Sequence, residues 1–209
     1  MVQWFNWPGI KLFFKVIAKP ELARPSLHVK SIDKVHWDTL IKESNIRAVV
    51  LDKDNTFAAP YGLKVHSSLE NAMEKMIDVF SLHNIAVLSN SAGTLDDIEY
   101  KEAKIVEENT KLKVIIHNEK KPGGGSIDVL NHFEQEFNAK KKKKNKINDD
   151  NNNETLKCEE IAMVGDRILT DVVYGNVNNM YTILVDPITE ENDDKVAKMM
   201  RRLERKMFL

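Results

Sequence analysis

The chain has 209 residues, 42% of them hydrophobic and 30% charged, enough for one well-buried core with an ordinary globular balance. Its formal net charge of −1 gives no overall electrostatic footprint for nucleic acid, so no nucleic-acid partner is expected from overall charge, although a local cluster such as the lysine run at 140–144 can still matter. The single cysteine, Cys158, excludes a disulfide framework and a thiolate zinc cluster, and it fails as a loop-held phosphatase nucleophile because Val164 stands where such a loop needs its arginine.

In chain order, residues 1–30 read as a membrane-associating segment. Trp4, Phe5, Trp7, Ile10, Leu12, Phe13, Phe14, Val16 and Ile17 are interleaved with Lys11, Lys15 and Lys19, and the first acid is Glu21. Tryptophan suits the water–lipid boundary and lysine suits anionic headgroups. A helix packed on the domain is the other reading, and import segments are usually richer in arginine and serine. No stretch reaches the roughly 18 consecutive apolar residues that span a bilayer, so any membrane contact is expected to be peripheral.

Residues 31–209 read as one α/β domain. Five apolar runs, Ile46 to Leu51, Ile85 to Leu88, Val114 to Ile116, Ile161 to Val164 and Tyr181 to Val185, have the length and composition of buried parallel strands. Helical spacing lies between them, at Leu69, Met73, Met76, Ile77 and Phe80 and at Ile127, Leu130, Phe133 and Phe137. The alternation predicts a doubly wound, Rossmann-like parallel sheet with reactive groups beyond the carboxyl ends of its strands. Five lysines at 140–144 run into an Asn- and Asp-rich tract, which predicts a disordered surface insertion over about residues 139–155. The segment from Asp193 to Leu209 repeats Val196, Met199, Met200, Leu203 and Met207 at helical spacing, which predicts a helix packing its apolar stripe on the domain.

The chemistry-bearing residues follow the strands. Asp52 and Asp54 come first; one carboxylate suits attack on phosphorus, and the second suits protonating the departing oxygen and then activating water. Short acidic pairs also begin ordinary turns. Ser89-Asn90-Ser91-Ala92-Gly93 follows the second strand, where a hydroxyl, an amide and main-chain N–H groups can meet phosphoryl oxygens, although serine and asparagine also cap helices. Lys121, before Pro122 and a glycine run, is the preferred cation to offset two carboxylates and a phosphate, with Lys120 as its rival. After the fourth strand, Gly165-Asp166 and Asp171 offer hard oxygen ligands of the kind magnesium takes; Asp171 either binds a metal water or orients Lys121. The metal set read here is Asp52, the Asp54 main-chain oxygen and Asp166. Structural capping explains Asp166 or Asp171 singly, but not their company.

The ordered set Asp52-x-Asp54, Ser89, Lys121 and Gly165-Asp166 with Asp171 resembles the four motifs of the haloacid dehalogenase superfamily. More narrowly, Leu51 to Thr56, Ala59-Pro60-Tyr61, Ser89 to Gly93, Lys121-Pro122 and Gly165-Asp166-Arg167 with Thr170-Asp171 resemble the mitochondrial phosphatidylglycerophosphatases. The resemblance implies Asp52 as nucleophile, Asp54 as acid/base, Lys121 as balancing cation, Ser89, Asn90 and Lys121 on the phosphate, and Mg2+ held through Asp52, Asp54 and Asp166. Thr56 and Asp171 take supporting places. It also implies hydrolysis of phosphatidylglycerophosphate to phosphatidylglycerol on the way to cardiolipin, by a peripheral enzyme of the matrix face of the mitochondrial inner membrane.

The intervals between Asp54 and Ile85 and between Ser91 and Lys121 leave little chain beyond a helix each and, in the second, a strand. Connections in compact domains run about 4 to 6 residues, so no substantial cap is expected and the site should be open. An open site suits a phosphate carried on something large. A phospholipid at a membrane surface is the first substrate class, a protein or nucleic acid the second, and an inactive membrane scaffold the reading from outside enzymology.

Overall fold

The computed structural model describes residues 15–144, 155–191 and 193–209, without side chains for 137–144. Six strands form one sheet: β1 (Leu27–Val29), β2 (Ala48–Leu51), β3 (Ile85–Val87), β4 (Lys113–Val114), β5 (Ile161–Gly165) and β6 (Tyr181–Val185). All pairings are parallel, in the order β1-β6-β5-β2-β3-β4. The α-helices whose bounds lie within the described residues are α1 (Trp37–Ser44), α2 (Glu70–Phe80), α3 (Lys101–Thr110), α4 (Ile127–Lys144), α5 (Val173–Val177) and α6 (Lys195–Phe208).

Alternate side chains of a strand leave opposite faces of its sheet, so a strand buried on both faces must be apolar throughout. Val49 and Leu51 of β2 join a core with Trp37, Met76 and Phe80, and Ala48 and Val50 join the opposite core with Val129, Phe133 and Tyr174. The α/β doubly wound fold predicted from the apolar runs is therefore the observed one. The chain moves outward from β2 through β3 to β4, then returns to the other side of β2 for β5 and β6. The direction of winding reverses between β2 and β5, and a crevice opens there beyond the strand ends.

Three expectations change. The strand β1 lies within the predicted separate segment 1–30, yet pairs with β6; at three residues, partly exposed at a sheet edge, it is too short to show as an apolar run. Residues 15–18 are helical, and Val16 and Ala23 are buried against Ile168, Val172 and Leu184, so the domain takes in the chain well before residue 31. Trp4, Phe5 and Trp7 lie outside the described residues. The helix α4 continues through the five lysines to Lys144, where disorder was expected, because lysine is a good helix former and the helix is already nucleated. Residues 145–154 of that insertion lie outside the described residues.

The third change concerns α6. Its apolar stripe was expected to pack on the domain, but Val196, Met199, Leu203 and Met207 are 46–61% exposed, whereas Arg201 and Glu204 are buried. The helix docks by its charged face. Among the described residues, no helix is long and apolar enough to cross a membrane, and neither interval expected to lack a cap holds a second domain.

Candidate active site

The carboxyl end of β2 passes directly into Asp52, whose N–H donates to Val164 O at 2.8 Å. Fixing the Asp52 backbone to β5 aligns it with the loop after Gly165. Residues 53–58 then close a tight turn in which the N–H groups of Thr56, Phe57 and Ala58 donate to Lys53 O and Asn55 adopts a positive φ of 59°. Asparagine tolerates that region better than most residues. Thr56 is buried in this turn and its hydroxyl has no hydrogen-bond partner among the described residues.

The turn sets the two acids at different depths. Lys121 Nζ donates to Asp52 Oδ1 and to Asp171 Oδ1, each at 2.7 Å, and its side chain is only 1% exposed. Burial pulls its pKa down, but the carboxylates of Asp171 and Asp52 outweigh that and raise it, so Lys121 is a fixed cation. Asp54 sits higher, with its side chain 35% exposed. Its Oδ1 accepts from Lys53 Nζ at 2.7 Å and from Tyr61 N–H at 2.8 Å, and its Oδ2 from Ser91 Oγ at 3.2 Å. Asp52 is thus held beneath the mouth and Asp54 at it, a placement that suits attack from the deeper carboxylate and proton transfer from the outer one.

Ser89 and Asn90 both make contacts that shape the site's backbone. Ser89 is buried, with its Oγ accepting from Ser91 N–H at 3.1 Å and Ala92 N–H at 3.4 Å, so it shapes the turn under the site. Ser91 supplies the hydroxyl nearest Asp54. Asn90 lines the cleft, but its Oδ1 accepts from Lys121 N–H at 2.7 Å and its Nδ2 donates to Lys121 O at 2.9 Å. Asn90 therefore clamps the main chain that carries the lysine.

The loop after β5 brings Asp166 and Asp171. Asp52, Asp166 and Asp171 each offer a carboxylate oxygen within 4.8 Å of the others, and all three are buried. That is a hard-oxygen set suited to magnesium. Asp171 has both oxygens engaged, by Lys121 and by Arg167 N–H at 3.1 Å; of the two roles open to it in the sequence, the geometry favours orienting Lys121. Asp166 Oδ2 is buried without a hydrogen-bond partner; Arg201 Nε lies 2.7 Å away as an ion pair lacking hydrogen-bond alignment. Burial pushes the Asp166 carboxyl well above the ordinary range against the pull of Arg201, and burial likewise raises Asp52 against Lys121. A buried carboxylate without a hydrogen bond is a residue disposed to take a cation.

Five residues missing from the sequence reading complete the site. Lys53 is fully buried and donates to Asp54 and to Gly62 O at 3.0 Å. Asn55 donates to Asp193 Oδ2 at 3.1 Å, and Asp193 accepts from Arg201 Nη1 at 2.8 Å, which ties the first acidic turn to α6. Glu204 accepts from Arg167 Nη2 at 2.9 Å and from Ile168 N–H at 3.0 Å, bracing the loop between Asp166 and Asp171. The signal for Arg201 and Glu204 was the charge pair three apart, opposite the apolar stripe of α6. Asp52, Asp54, Asn90, Asp166, Asp171 and Arg201 together line a cleft of about 180 Å³.

A sequence profile of the family described as mitochondrial PGP phosphatase matches residues 8–189. The chain belongs to this family. It is 34% identical over 204 residues to phosphatidylglycerophosphate phosphatase 1 of Arabidopsis thaliana, described as chloroplastic/mitochondrial, covering 97% of this chain and 52% of that protein. The Chlamydomonas reinhardtii phosphatase of the same name is 33% identical, covering 97% of this chain and 67% of the relative. The mitochondrial phosphatidylglycerophosphatase of Saccharomyces cerevisiae is 27% identical over 199 residues, covering 95% of this chain and 96% of that protein. The chain thus spans about half the length of its Arabidopsis relative and nearly all of its yeast one. No solved structure gives a significant match. Membership of the PGP phosphatase family bears out the resemblance carried by the ordered motifs.

Proposed function

We propose that the protein is a magnesium-dependent phosphoric monoester hydrolase that converts phosphatidylglycerophosphate to phosphatidylglycerol on the route to cardiolipin, working peripherally at the matrix face of the mitochondrial inner membrane. The observation that carries the chemistry is the buried bridge from Lys121 to Asp52 and Asp171, with Asp166 alongside, beneath an open cleft whose rim carries Asp54. The substrate and compartment rest on the family and on the names borne by relatives.

An Asp52 carboxylate oxygen attacks the terminal phosphorus as the bond from phosphorus to the glycerol oxygen breaks. Asp54 gives that oxygen a proton, leaving phosphatidylglycerol and an acyl phosphate on Asp52. Asp54, now anionic, takes a proton from water as the water oxygen attacks the same phosphorus. Orthophosphate departs and the Asp52 carboxylate is restored. Lys121 stays charged throughout and offsets the negative charge gathered at Asp52, while Asp171 and Asn90 hold it in place. Magnesium, held by Asp52, Asp166 and the Asp54 carbonyl, would supply charge neutralisation of the phosphoryl oxygens. Lys53 and Tyr61 N–H keep Asp54 aimed at the mouth.

The test is phosphate release from phosphatidylglycerophosphate in vesicles, beside a soluble glycerol phosphate, with magnesium and with chelator. Faster release from the lipid, abolished by chelator, is the expected result. Equal or better hydrolysis of the soluble ester removes the lipid assignment, and turnover indifferent to chelator removes the metal.

A further inference from the structure

The amphipathic helix α6 is inverted. At 100° per residue, Val196, Met199, Leu203 and Met207 share one stripe, and each is close to half exposed or more, from 46% at Leu203 to 61% at Val196. The opposite face is the buried one. There Arg201 reaches Asp166 and Asp193, Glu204 caps the loop after β5, and Ala197 lines the catalytic cleft. Exposing four large apolar side chains in a row costs solvation that a free surface has no reason to bear.

The charge beside the stripe indicates what covers it. Lys195, Lys198, Arg202 and Lys206 occupy the adjoining flank, Arg202 being paired with the exposed Glu190 at 2.9 Å, and the only acid in the helix, Glu204, is buried and paired with Arg167. An apolar stripe bordered by basic side chains matches an anionic lipid surface, where the stripe enters the acyl boundary and the ammonium groups of Lys195, Lys198 and Lys206 meet headgroups. Other occupants fit less well. Residues 1–14 carry Lys11 and no acid, so they offer the basic flank no counter-charge. A second copy docked through the same face about a twofold axis would bring two basic flanks together.

We infer that α6 is the membrane-docking element of this protein, laying its stripe of Val196, Met199, Leu203 and Met207 on an anionic bilayer. This rests on reading the substrate as a lipid phosphate. Because Ala197 and Arg201 on the other face of the same helix line the cleft, docking brings the site to within about one helix diameter, roughly 10 Å, of the lipid surface. It also places the lipid-facing stripe and the residues holding Asp166 on one rigid element.

The test uses the full chain and vesicles of phosphatidylcholine with or without phosphatidylglycerol, free of phosphatidylglycerophosphate, so that binding is read apart from turnover. The protein sediments with the anionic vesicles, and the double substitution Met199→Gln with Leu203→Gln weakens that binding by about tenfold or more. Both positions are exposed and glutamine keeps helix propensity, so hydrolysis of a soluble phosphate ester stays within about twofold of the parent. Hydrolysis of vesicle-borne phosphatidylglycerophosphate falls with binding. Vesicle binding unchanged in the double variant overturns the inference, and sedimentation velocity then shows whether the substitutions have split an oligomer instead. Failure of the parent protein to bind anionic vesicles overturns it equally. The two readings part cleanly: binding to the substrate-free anionic vesicles, with no hydrolysis of phosphatidylglycerophosphate in separate substrate-bearing vesicles, leaves docking standing and removes the proposed activity, and hydrolysis with α6-independent binding does the reverse.

Discussion

The strand-end loops and the C-terminal helix build one cleft by opposite rules. In the loops, apolar strands are buried and the charges stand just past their ends, so Asp52, Asp166 and Lys121 appear where the hydrophobic run stops. In α6 the charges are buried and the apolar residues face out, with Arg201 and Glu204 turned to the site and Met199 and Leu203 turned to solvent. Periodicity identifies that a helix has two faces but not which one the domain takes. The face is chosen by what waits on the other side, here the unmatched carboxylate of Asp166 and the open N–H groups of Ile168 and Leu169.

That contrast can be broken at either end. After Asp52 itself, the largest effect is expected at the loop side: Asp54→Asn removes the proposed proton carrier and lowers turnover by about 10³-fold, most for substrates with poor leaving groups, as steady-state rates on esters of graded leaving-group pKa will show. On the helix side, Arg201→Ala leaves Asp166 and Asp193 buried without their cation, for a loss of about 3 kcal/mol in chemical denaturation. A loss below about 1 kcal/mol would mean that water already screens the pair. Gly165→Ala returns to the loops. A Cβ there would lie 2.3 Å from the Asp171 carboxyl, so Asp171 must move, Lys121 loses its second anchor, and turnover falls by about 10²-fold with substrate affinity less affected.

The smallest effect is expected at Asp97, which fastens the loop carrying Ser91 by accepting from Gly93 N–H at 2.9 Å and from Glu102 and Ala103 N–H at 2.9 and 3.0 Å. Burial pushes its pKa up, but these N–H donors more than compensate and hold it below the ordinary 3.8. A carboxyl with a depressed folded pKa adds stability that is complete above its unfolded value and fades as pH falls through the folded one. Asp97→Asn therefore costs about 1 kcal/mol at neutral pH, and melting curves of parent and variant should converge as the pH falls through the depressed folded pKa of Asp97.

The fold was legible because both faces of the sheet are covered, which forces β2, β3, β5 and β6 into apolar runs that stand out from their surroundings. The edge strand β1 was not, since Leu27-His28-Val29 has one side free and needs no such run. Asp52, Asp54, Lys121, Asp166 and Asp171 were legible as residues at strand ends, and the structure brings all five together. Their division of labour was less so: Asn90 is bound to the Lys121 main chain and Ser89 lies under its own turn, relations set by loop geometry that composition does not carry. Lys53 hid inside the acidic pair because a lysine between two aspartates reads as solvated, whereas the turn buries it completely. The partners of α6 were hidden by the expectation that apolar residues face inward.

The central claim is that Asp52 takes the phosphoryl group during turnover. Protein quenched in acid while hydrolysing phosphatidylglycerophosphate should carry one phosphoryl group on the peptide containing Asp52, in a linkage cleaved by hydroxylamine, and an Asp52→Asn variant should carry none and turn over on the order of 10⁴-fold more slowly. A phosphoryl group found on another peptide, or an Asp52→Asn variant that hydrolyses as fast as its parent, would contradict it.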